Sequence, residues 1–429
     1  MVLLAQIAII LIVARLVRTL FVRFHQPAVI GEMVAGLLLG PSLFGWFFPG
    51  VFNRVFPVAS LPNLHALSLV GLVLFMFIIG LRLRTESVHG MRRTAVVTGA
   101  ISILVPFLLG AAAATVVHQR LAPAGINTVS FALFMGTAMS ITAFPVLARI
   151  LLERNLFNTV VGRLAIACAA FNDVAGWLIL SAVVTLVRAE HSGTIITSVL
   201  LPVGYLAVML WIVRPALGWL AANKGRDFGA DAEDLSTAMV VMLLSALATE
   251  WLGIHALFGE FFAGLMMPRS SVFEQTCNDR VLPLTQALLL PLFFAFTGLR
   301  TEVNLLTSPA LWRDAAMFLA VAVVGKGVAS ALAARLTGMA WREASILGIL
   351  LNTRGLIELV ILNIGLDLGI LSPVVFTMMV LMALITTIMT SPLLSLVQSR
   401  DSRTRLRRPH GRGRWSPHGS AGAPGRPLR

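Results

Sequence analysis

The sequence predicts an all-α polytopic membrane protein with an inverted internal repeat, and three observations lead to this fold class. Of the 429 residues, 58% are hydrophobic and only 12% are charged, whereas about 25% of residues are charged in a soluble domain. Apolar runs of about 18 or more residues, the length of a membrane-spanning helix, recur along most of the chain. Similar motifs also appear in the same order in the two halves of the sequence.

The apolar runs predict about thirteen transmembrane helices, and no soluble domain of useful size remains between them. The first run lacks a basic leading segment and a small-residue cleavage site, so we interpret it as a span and not as a signal peptide. The alternating pattern of a β-barrel is absent. The expected spans are about 2–22, 27–46, 64–81, 95–117, 127–151, 164–187, 195–219, 235–252, 254–268, 282–299, 312–335, 344–366 and 373–397.

The membrane domain is expected to cover residues 1–399, with one repeat at about 1–187 and the other at about 235–397. Residues 400–429 contain nine arginines together with Gly, Pro and Ser, and they show no apolar period. This composition is typical of a disordered segment. The sequence therefore predicts a disordered cytoplasmic tail that contacts anionic lipid, and we expect no nucleic acid partner.

Basic residues indicate the orientation, because cytoplasmic loops carry an excess of Lys and Arg. With thirteen spans and a cytoplasmic tail, fourteen basic residues fall in cytoplasmic loops and five in outer loops. This distribution predicts an outer N-terminus and a cytoplasmic C-terminus in a bacterial inner membrane. The cytoplasmic set is Arg18, Arg23, Arg82, Arg84, Arg92, Arg93, Arg154, Arg163, Lys224, Arg226, Arg269, Arg280, Arg335 and Arg342. The outer set is Arg54, Arg120, Arg188, Arg300 and Arg313.

Two pairs of motifs define the repeat. Residues 31–42 read GEMVAGLLLGPS and residues 259–270 read GEFFAGLMMPRS. In the next span of each half, residues 74–86 read LFMFIIGLRLRTE and residues 292–302 read LFFAFTGLRTE. An odd number of expected spans separates each pair, so the two halves enter the membrane from opposite sides. Many secondary transporters are built from such inverted repeats, with a binding site near the midplane on interrupted helices.

One expected span in each half is interrupted, at corresponding positions. Residues 136–151 contain a proline, which removes a backbone donor and frees carbonyl groups in the preceding turn. Residues 351–363, with the sequence LNTRGLIELVILN, place polar residues and a glycine at a similar depth. We expect the two broken helices to cross near the midplane. The residues assigned to the breaks are Ser140, Thr142, Pro145 and Thr353.

The stretch AAFNDVAGW, residues 169–177, places Asn172 and Asp173 inside an apolar run. A charge at the bilayer centre costs about 2.5–3.5 kcal/mol on insertion scales, so it requires a partner, a cavity or a task. The alternatives are a buried helix of a soluble protein and a neutral carboxyl group with a structural role. A carboxylate that releases a proton to take a metal cation explains the position better. We therefore predict a site for one proton or one monovalent cation at Asp173, with Asn172 as a further binding residue.

Other ionisable residues inside the expected spans have weaker claims to function. Lys326 lies near mid-span and compensates the buried carboxylate, either as a fixed counter-ion or as a group that titrates during transport. Arg354 and Glu358 are spaced i, i+4 on one helix and are expected to form a structural ion pair. Glu32 and Glu260 occupy equivalent repeat positions, and we expect them to bond backbone groups near helix starts.

No residues support an enzymatic function. Cys168 and Cys277 belong to no metal-spaced cluster, and the eight histidines do not group together. The sequence contains no phosphate loop, Ser/His/Asp set or redox motif. We expect no cofactor, and no metal other than a transported monovalent cation.

Taken together, the motifs resemble the monovalent cation:proton antiporter-2 family, which includes Na+/H+ and K+/H+ antiporters, Kef-type membrane domains and plant cation/H+ exchangers. The resemblance implies a homodimer, a core of inverted helical bundles and elevator-like transport. It also implies that Asp173 carries cation and proton alternately, that Thr142 helps to coordinate the cation, and that Lys326 pairs near the site. The motifs are GEMVAGLLLGPSLFG, SITAFPVLARIL, AAFNDVAGW, GIHALFGEFFAGLMMP, LLPLFFAFTGLRTEV and LNTRGLIELVILNIGLDLGILSP.

The sequence departs from electrogenic members of that family, which have two aspartates where this chain has Asn172 and Asp173. The pair resembles the electroneutral kind, although that kind often lacks a lysine at the position of Lys326. The sequence thus predicts a secondary active transporter that exchanges K+ or Na+ for H+ across a lipid bilayer, electroneutrally. The alternatives are an uncoupled cation channel or uniporter, and a membrane sensor on the same fold.

Overall fold

The computed structural model is all-helical, with no strand in any range that it describes, so the all-α fold class is confirmed. The described residues are 2–24, 26–82, 91–157, 159–192, 195–223, 228–229, 231–252, 256–268 and 270–405. The α-helices are α1 (Val2–Arg23), α2 (Ala28–Leu39), α3 (Phe44–Phe47), α4 (Pro49–Val55), α5 (Leu61–Arg82), α6 (Arg92–Leu121), α7 (Thr128–Ser140), α8 (Phe144–Glu153), α9 (Val160–Ser192), α10 (Ile195–Val208), α11 (Arg214–Asn223), α12 (Ala232–Trp251), α13 (Ala256–Met266), α14 (Ser271–Thr276), α15 (Leu282–Leu284), α16 (Leu290–Leu299), α17 (Pro309–Ala322), α18 (Ala329–Leu336), α19 (Trp341–Leu351), α20 (Leu356–Asp367) and α21 (Pro373–Arg405).

π-Helical turns join several of these helices into longer segments. Val323–Val328 joins α17 to α18, and Cys277–Val281 and Thr285–Leu289 join α14, α15 and α16. The expected span 282–299 is consequently part of a longer helical segment, Ser271–Leu305. Single π-helical turns inside α-helices occur frequently at functional sites, and one of them here contains the buried lysine discussed below.

Ten helical segments of the described chain are long and apolar enough to cross a membrane, or up to eleven if the bent pair α19 and α20 forms one span. The two members of that pair meet at 41°. The helices α7 and α13 are apolar but shorter, at 13 and 11 residues. The polytopic membrane architecture is therefore confirmed, whereas the expected count of thirteen is not.

The helices pack into two groups, which we call the scaffold helices and the crossing helices. The scaffold helices are α1, α2, α5, α12, α13 and α16, and the crossing helices are α6 to α9 and α17 to α21. Among the scaffold helices, α2 packs on α16 and α13 packs on α5. Among the crossing helices, α6 packs on α7, α9 and α18, and α19 packs on α9. The largest apolar core includes residues of both groups.

Glycines show the inverted repeat in the packing of the scaffold helices. The first motif pair lies on α2 and α13, and the second lies on α5 and α16. At Gly36 of α2, a Cβ atom would be 2.1 Å from the carbonyl oxygen of Phe294 on α16. At Gly264 of α13, a Cβ atom would be 2.1 Å from the carbonyl oxygen of Phe77 on α5. Each helix pair thus combines one helix from each repeat, as an intertwined pair of inverted halves requires.

Both predicted interruptions are present. α7 ends at Ser140 and α8 begins at Phe144, while α19 ends at Leu351 and α20 begins at Leu356. Pro145 is the second residue of α8, and it has no amide hydrogen for the carbonyl four residues earlier. A continuous helix through this point would leave that carbonyl without its usual donor, so the break is consistent with the local sequence.

Some expected features lie outside the described residues. Among the basic loop residues these are Arg84, Lys224, Arg226 and Arg269. The helix α21 continues to Arg405, so it includes the first residues of the expected tail. Residues 406–429 lie outside the described part, and the disorder of the tail stays a prediction.

Candidate cation site

The two breaks contact each other directly. The amide nitrogen of Ala143 donates to the carbonyl oxygen of Thr353 at 3.1 Å, and the hydroxyl oxygen of Thr142 lies 3.2 Å from the carbonyl oxygen of Leu351. Gly355 allows this approach, because a Cβ atom there would be 2.7 Å from Val146 Cγ2. The crossing of two broken helices is therefore present as the sequence predicts.

Four helix ends meet at this crossing: the C-terminal ends of α7 and α19 and the N-terminal ends of α8 and α20. Helix C-termini present carbonyl oxygens and partial negative charge, and N-termini present amide hydrogens and partial positive charge. The crossing thus places unsatisfied backbone groups of both signs in a buried region. Carbonyl oxygens freed in this way are suitable ligands for a dehydrated alkali cation.

Asp173 lies on α9 beside the crossing and is fully buried. Neither of its carboxylate oxygens has a hydrogen-bond partner among the described residues. An ionised carboxylate without partners is costly to bury, so this group requires a proton or a cation. Electrostatic interaction links it to Lys326, but no hydrogen bond or ion pair joins the two side chains in the described structure.

The amide of Asn172 ties α9 to the break of α7. In the orientation that satisfies both amide atoms, its nitrogen donates to the carbonyl oxygens of Gly99 and Cys168, both at 3.2 Å. Its oxygen then accepts from the hydroxyls of Ser102 at 2.9 Å and Thr142 at 3.0 Å. Asn172 therefore ties α9, the helix that carries Asp173, to the break after α7 through the hydroxyl of Thr142.

Lys326 is fully buried and is held by backbone oxygens. Its ammonium donates to the carbonyl oxygen of Ser102 on α6 at 3.2 Å and to the carbonyl oxygen of Ser140 at the end of α7. The second contact places a cation at a helix C-terminus, where the partial negative charge of the helix favours it. The hydroxyl of Ser140 is occupied separately, because it donates to the carbonyl of Thr137 at 2.8 Å.

Arg354 and Glu358 form a buried salt bridge of 2.8 Å between Nη1 and Oε1 at the start of α20. Arg354 Nη2 also donates to the carbonyl oxygen of Met139 at 2.8 Å. Together with Lys326, the guanidinium therefore satisfies the carbonyls that end α7. Thr353 lies in the same break, and its hydroxyl donates to the carbonyl of Leu350 at 2.8 Å.

The two repeat-related glutamates differ from each other. Glu32 lies 3.6 Å from Arg18, measured between Oε1 and Nη1, so it is part of an ion pair. Glu260 is fully buried, and neither of its carboxylate oxygens has a hydrogen-bond partner in the part of the chain that is described. The expectation that Glu260 bonds a backbone group is therefore wrong for the part of the chain that the structure describes.

A cavity of about 360 Å³ lies between the scaffold helices and the crossing helices. Glu32 and Arg82 line its scaffold side. Phe144, Val146 and Leu356 line its crossing side, and they belong to the first turns of α8 and α20. The cavity thus reaches the N-terminal side of the two breaks from the end of the protein at which Arg82 lies.

Ser102 is the site residue that sequence reasoning missed. It is buried on α6, its hydroxyl bonds Asn172 and its carbonyl accepts from Lys326. A signal for it exists in the sequence, because Pro106 follows four residues later on the same helix. A proline frees the carbonyl four residues before it, and a freed carbonyl in an apolar span requires another donor.

The intertwined inverted halves, the crossed breaks and the buried unpartnered carboxylate define the class of secondary transporters with a midplane site. The chain matches the family model described as "Sodium/hydrogen exchanger, transmembrane" over residues 8–396. It belongs to this family of transmembrane sodium/hydrogen exchangers. The resemblance inferred from the sequence motifs is thereby confirmed at the level of the family.

Relatives and one solved structure extend the comparison. The Na(+)/H(+) antiporter NhaS4 of Synechocystis sp. is 40% identical over 391 residues, which cover 91% of this chain and 95% of that protein. Cation/H(+) antiporter 20 of Arabidopsis thaliana is 37% identical over 401 residues, which cover 91% of this chain but 48% of that protein. The sodium proton antiporter MjNhaP1 from Methanocaldococcus jannaschii has the same fold, with a TM-score of 0.63 at 16% identity over 95% of this chain and 99% of that chain.

Proposed function

We propose that the protein is a secondary active antiporter that exchanges a monovalent cation, Na+ or K+, for H+, with Asp173 as the shared site. Cation/proton antiport is the activity in the names of the relatives above. The observation that carries the site is the fully buried Asp173 carboxylate beside the crossing, which has no hydrogen-bond partner among the residues that the structure describes. Such a group is stable when it holds a proton or a cation, and each displaces the other.

The residues around Asp173 supply the remaining ligands in this proposal. Thr142 offers a hydroxyl oxygen, and Asn172 holds that hydroxyl in place. Carbonyl oxygens of the broken helices complete the shell of oxygens that replaces the water of a cation. Divalent cations usually require more carboxylate oxygens than one aspartate provides, so the proposed substrate is monovalent.

One ionisable carboxylate sets the proposed stoichiometry of one proton for one cation. Arg354 and Glu358 neutralise each other in their salt bridge and leave no charge to vary. Lys326 stays bound to two carbonyls in the present arrangement and acts as charge compensation for the site. Exchange of one H+ for one K+ or Na+ moves no net charge, so the transport is electroneutral.

The division into scaffold and crossing helices supports an elevator-type movement. The crossing helices carry every residue of the proposed site, and the cavity on the Arg82 side gives access to their breaks. We propose that the crossing helices move as one body against scaffold helices that form a homodimer in the lipid bilayer. We propose that the Arg82 side faces the cytoplasm of a bacterial inner membrane, with the N-terminus outside, and the excess of basic residues in the expected cytoplasmic loops supports this orientation.

The test uses purified protein in liposomes that contain a pH reporter. Pulses of Na+, K+ or Li+ are applied to the wild type, to Asp173→Asn and to Glu260→Gln. Glu260 is the matched control, because it is also buried without a hydrogen-bond partner in the described ranges but lies on a scaffold helix. We expect cation-driven proton movement in the wild type and in Glu260→Gln, and its loss in Asp173→Asn.

Other outcomes discriminate among the alternatives. Proton movement that persists in Asp173→Asn would place the site on another residue. Cation flux without proton movement in the wild type would identify an uncoupled channel or uniporter. Repeating the pulses with the membrane voltage clamped by an ionophore tests the stoichiometry, since one-for-one exchange does not respond to voltage.

A further inference from the structure

The carbonyl oxygen of Ser102 has no donor within its own helix. In an α-helix this oxygen accepts from the amide four residues later, and that residue is Pro106, which has no amide hydrogen. The ammonium of Lys326 occupies the vacated position, with Nζ 3.2 Å from the oxygen. Pro106 therefore frees the carbonyl of Ser102 as an acceptor for a lysine that lies 224 residues beyond that serine in the chain.

The second acceptor of Lys326 is freed in a comparable way. Ser140 is the last residue of α7, and the chain leaves the helix at Ile141. The carbonyl of Ser140 thus has no intrahelical donor, and the ammonium takes that place. Both carbonyls that hold the lysine are available only because the helical hydrogen bonds are interrupted after them, by Pro106 within α6 and by the end of α7 at Ser140.

The helix that carries Lys326 is shaped to meet Pro106. Val323–Val328 forms a π-helical turn around the lysine. Within this turn Gly325 lies against the proline, since a Cβ atom at Gly325 would be 3.0 Å from Pro106 Cα. The proline and the π-helical turn are therefore in direct contact. This contact between α6 and the helix of Lys326 favours the hydrogen bond from the ammonium to the carbonyl of Ser102.

We infer that Pro106 is a positioning residue that keeps Lys326 on backbone carbonyls and off Asp173. This inference rests on the proposed function of Asp173 as the cation and proton site. An ammonium bound to Asp173 would compete with both substrates for the carboxylate, whereas an ammonium held by two carbonyls leaves it free. The other charged groups that act on Lys326 are Arg354 and Glu358, which are bound to each other.

The test is Pro106→Ala in the full-length protein. The new amide hydrogen restores the helical bond to the carbonyl of Ser102, so Lys326 loses one acceptor and turns toward Asp173. We expect the apparent Kd for the transported cation to rise about 10- to 100-fold, the effect of losing one hydrogen bond to a charged group. The Kd is measured from the increase in Tm with cation concentration in detergent, which requires no transport.

The chain contains a matched control. Pro392 also lies inside a helix, α21, and it frees the carbonyl of Ile388, which accepts from Gln26 Nε2 at 3.3 Å. The change Pro392→Ala therefore restores an equivalent missing hydrogen bond within a helix, away from the site. We expect its cation Kd to equal that of the wild type. An equal rise in both variants would mean that prolines act only through general packing, and it would overturn the inference.

Two further variants test whether Pro106 acts through Lys326. In a Lys326→Gln background, Pro106→Ala is expected to add no change in Kd, because the two residues act through one contact. An additional rise there, or an unchanged Kd in Pro106→Ala alone, would contradict the positioning role while cation binding at Asp173 remained intact. If Pro106→Ala does not fold, Gly325→Ala serves instead, since its methyl group would push the π-helical turn from the proline and raise the Kd in the same direction.

Discussion

The guanidinium of Arg300 and the carboxylate of Asp367 lie 2.6 Å apart, and they join a scaffold helix to a crossing helix. Arg300 also donates to Asn363 Oδ1 at 3.0 Å, and the amide nitrogen of Glu302 donates to Thr377 Oγ1 at 3.1 Å. All of these links lie at the end of the protein opposite the cavity on the Arg82 side. The structure therefore ties its two groups of helices together at this end. At the other end the cavity lies between them, although Gln26 Nε2 still donates to the carbonyl oxygen of Ile388 there at 3.3 Å.

Removing the ion pair of Arg300 and Asp367 should shift the protein toward the arrangement in which the cavity on the Arg82 side is closed. Arg300 and Asp367 are partly exposed, and a surface ion pair contributes about 0.2–1 kcal/mol. Loss of this pair is expected to lower the population of the arrangement in which the cavity is open. A cysteine introduced at Ala148 should therefore react about two- to fivefold more slowly in the Arg300→Gln variant. Ala148 lines the cavity, and the native cysteines Cys168 and Cys277 are buried. The measurement is the rate of reaction with a water-soluble maleimide.

The control for this experiment is Arg120→Gln. Arg120 pairs with Asp314 at 3.3 Å, but both residues lie on crossing helices, so breaking that pair should not change the labelling rate. Faster labelling in Arg300→Gln, or equal slowing in both variants, would contradict the view that the Arg300 pair holds the cavity open.

The buried salt bridge of Arg354 should matter more to stability than the exposed one. Replacing one partner of a buried pair leaves a charge without compensation and costs about 3–5 kcal/mol. Arg354→Met is therefore expected to lower Tm strongly, because it also removes the donor to Met139. The double variant Arg354→Met/Glu358→Leu should be less destabilised than the sum of its single variants. Tm values of the purified protein in detergent decide this, and strictly additive losses would show that the two charges act independently.

The sequence predicts the broken helices and the buried carboxylate correctly because both depend on local rules. Pro145 cannot continue a helix, and Asp173 in an apolar span requires an explanation wherever it lies in the fold. The role of Ser102 depends instead on Lys326, a residue distant in sequence, and on a carbonyl that only the packed helices bring within its reach. Local composition does not encode that contact.

The number of spans was harder to predict for a different reason. Hydropathy measures the length of an apolar run, and it does not detect where a helix within that run begins or ends. Thr128–Ser140 and Ala256–Met266 occupy expected spans but are shorter than a bilayer requires for a continuous helix. In the opposite sense, π-helical turns extend α16 beyond the expected 282–299. Helix ends of this kind depend on backbone contacts with neighbouring helices.

The close packing of α2 against α16 predicts that substitution by alanine lowers the Tm at Gly36 but not at Gly50. Gly36→Ala would place a methyl group 2.1 Å from the carbonyl oxygen of Phe294, so α2 and α16 would have to separate. Overpacking of this kind costs about 1–3 kcal/mol. Gly50→Ala meets no atom within 4 Å and should leave Tm unchanged or raise it slightly. Detergent Tm measurements on the two variants test this, and similar losses in both would show that the close helix contact is not the cause.

Competition between proton and cation at one carboxylate fixes the sign of the pH dependence. A proton on Asp173 excludes the cation, so the apparent KM for the cation rises as the pH falls through the range in which the group protonates. With one carboxylate the rise is about tenfold per pH unit at the acid end, and KM becomes constant once deprotonation is complete. Initial rates of cation-driven proton movement, measured at several cation concentrations and pH values in liposomes, give this slope. A rise of about one hundredfold per unit would mean that two protons compete with each cation, and a second titrating group such as Lys326 would then belong to the transport cycle.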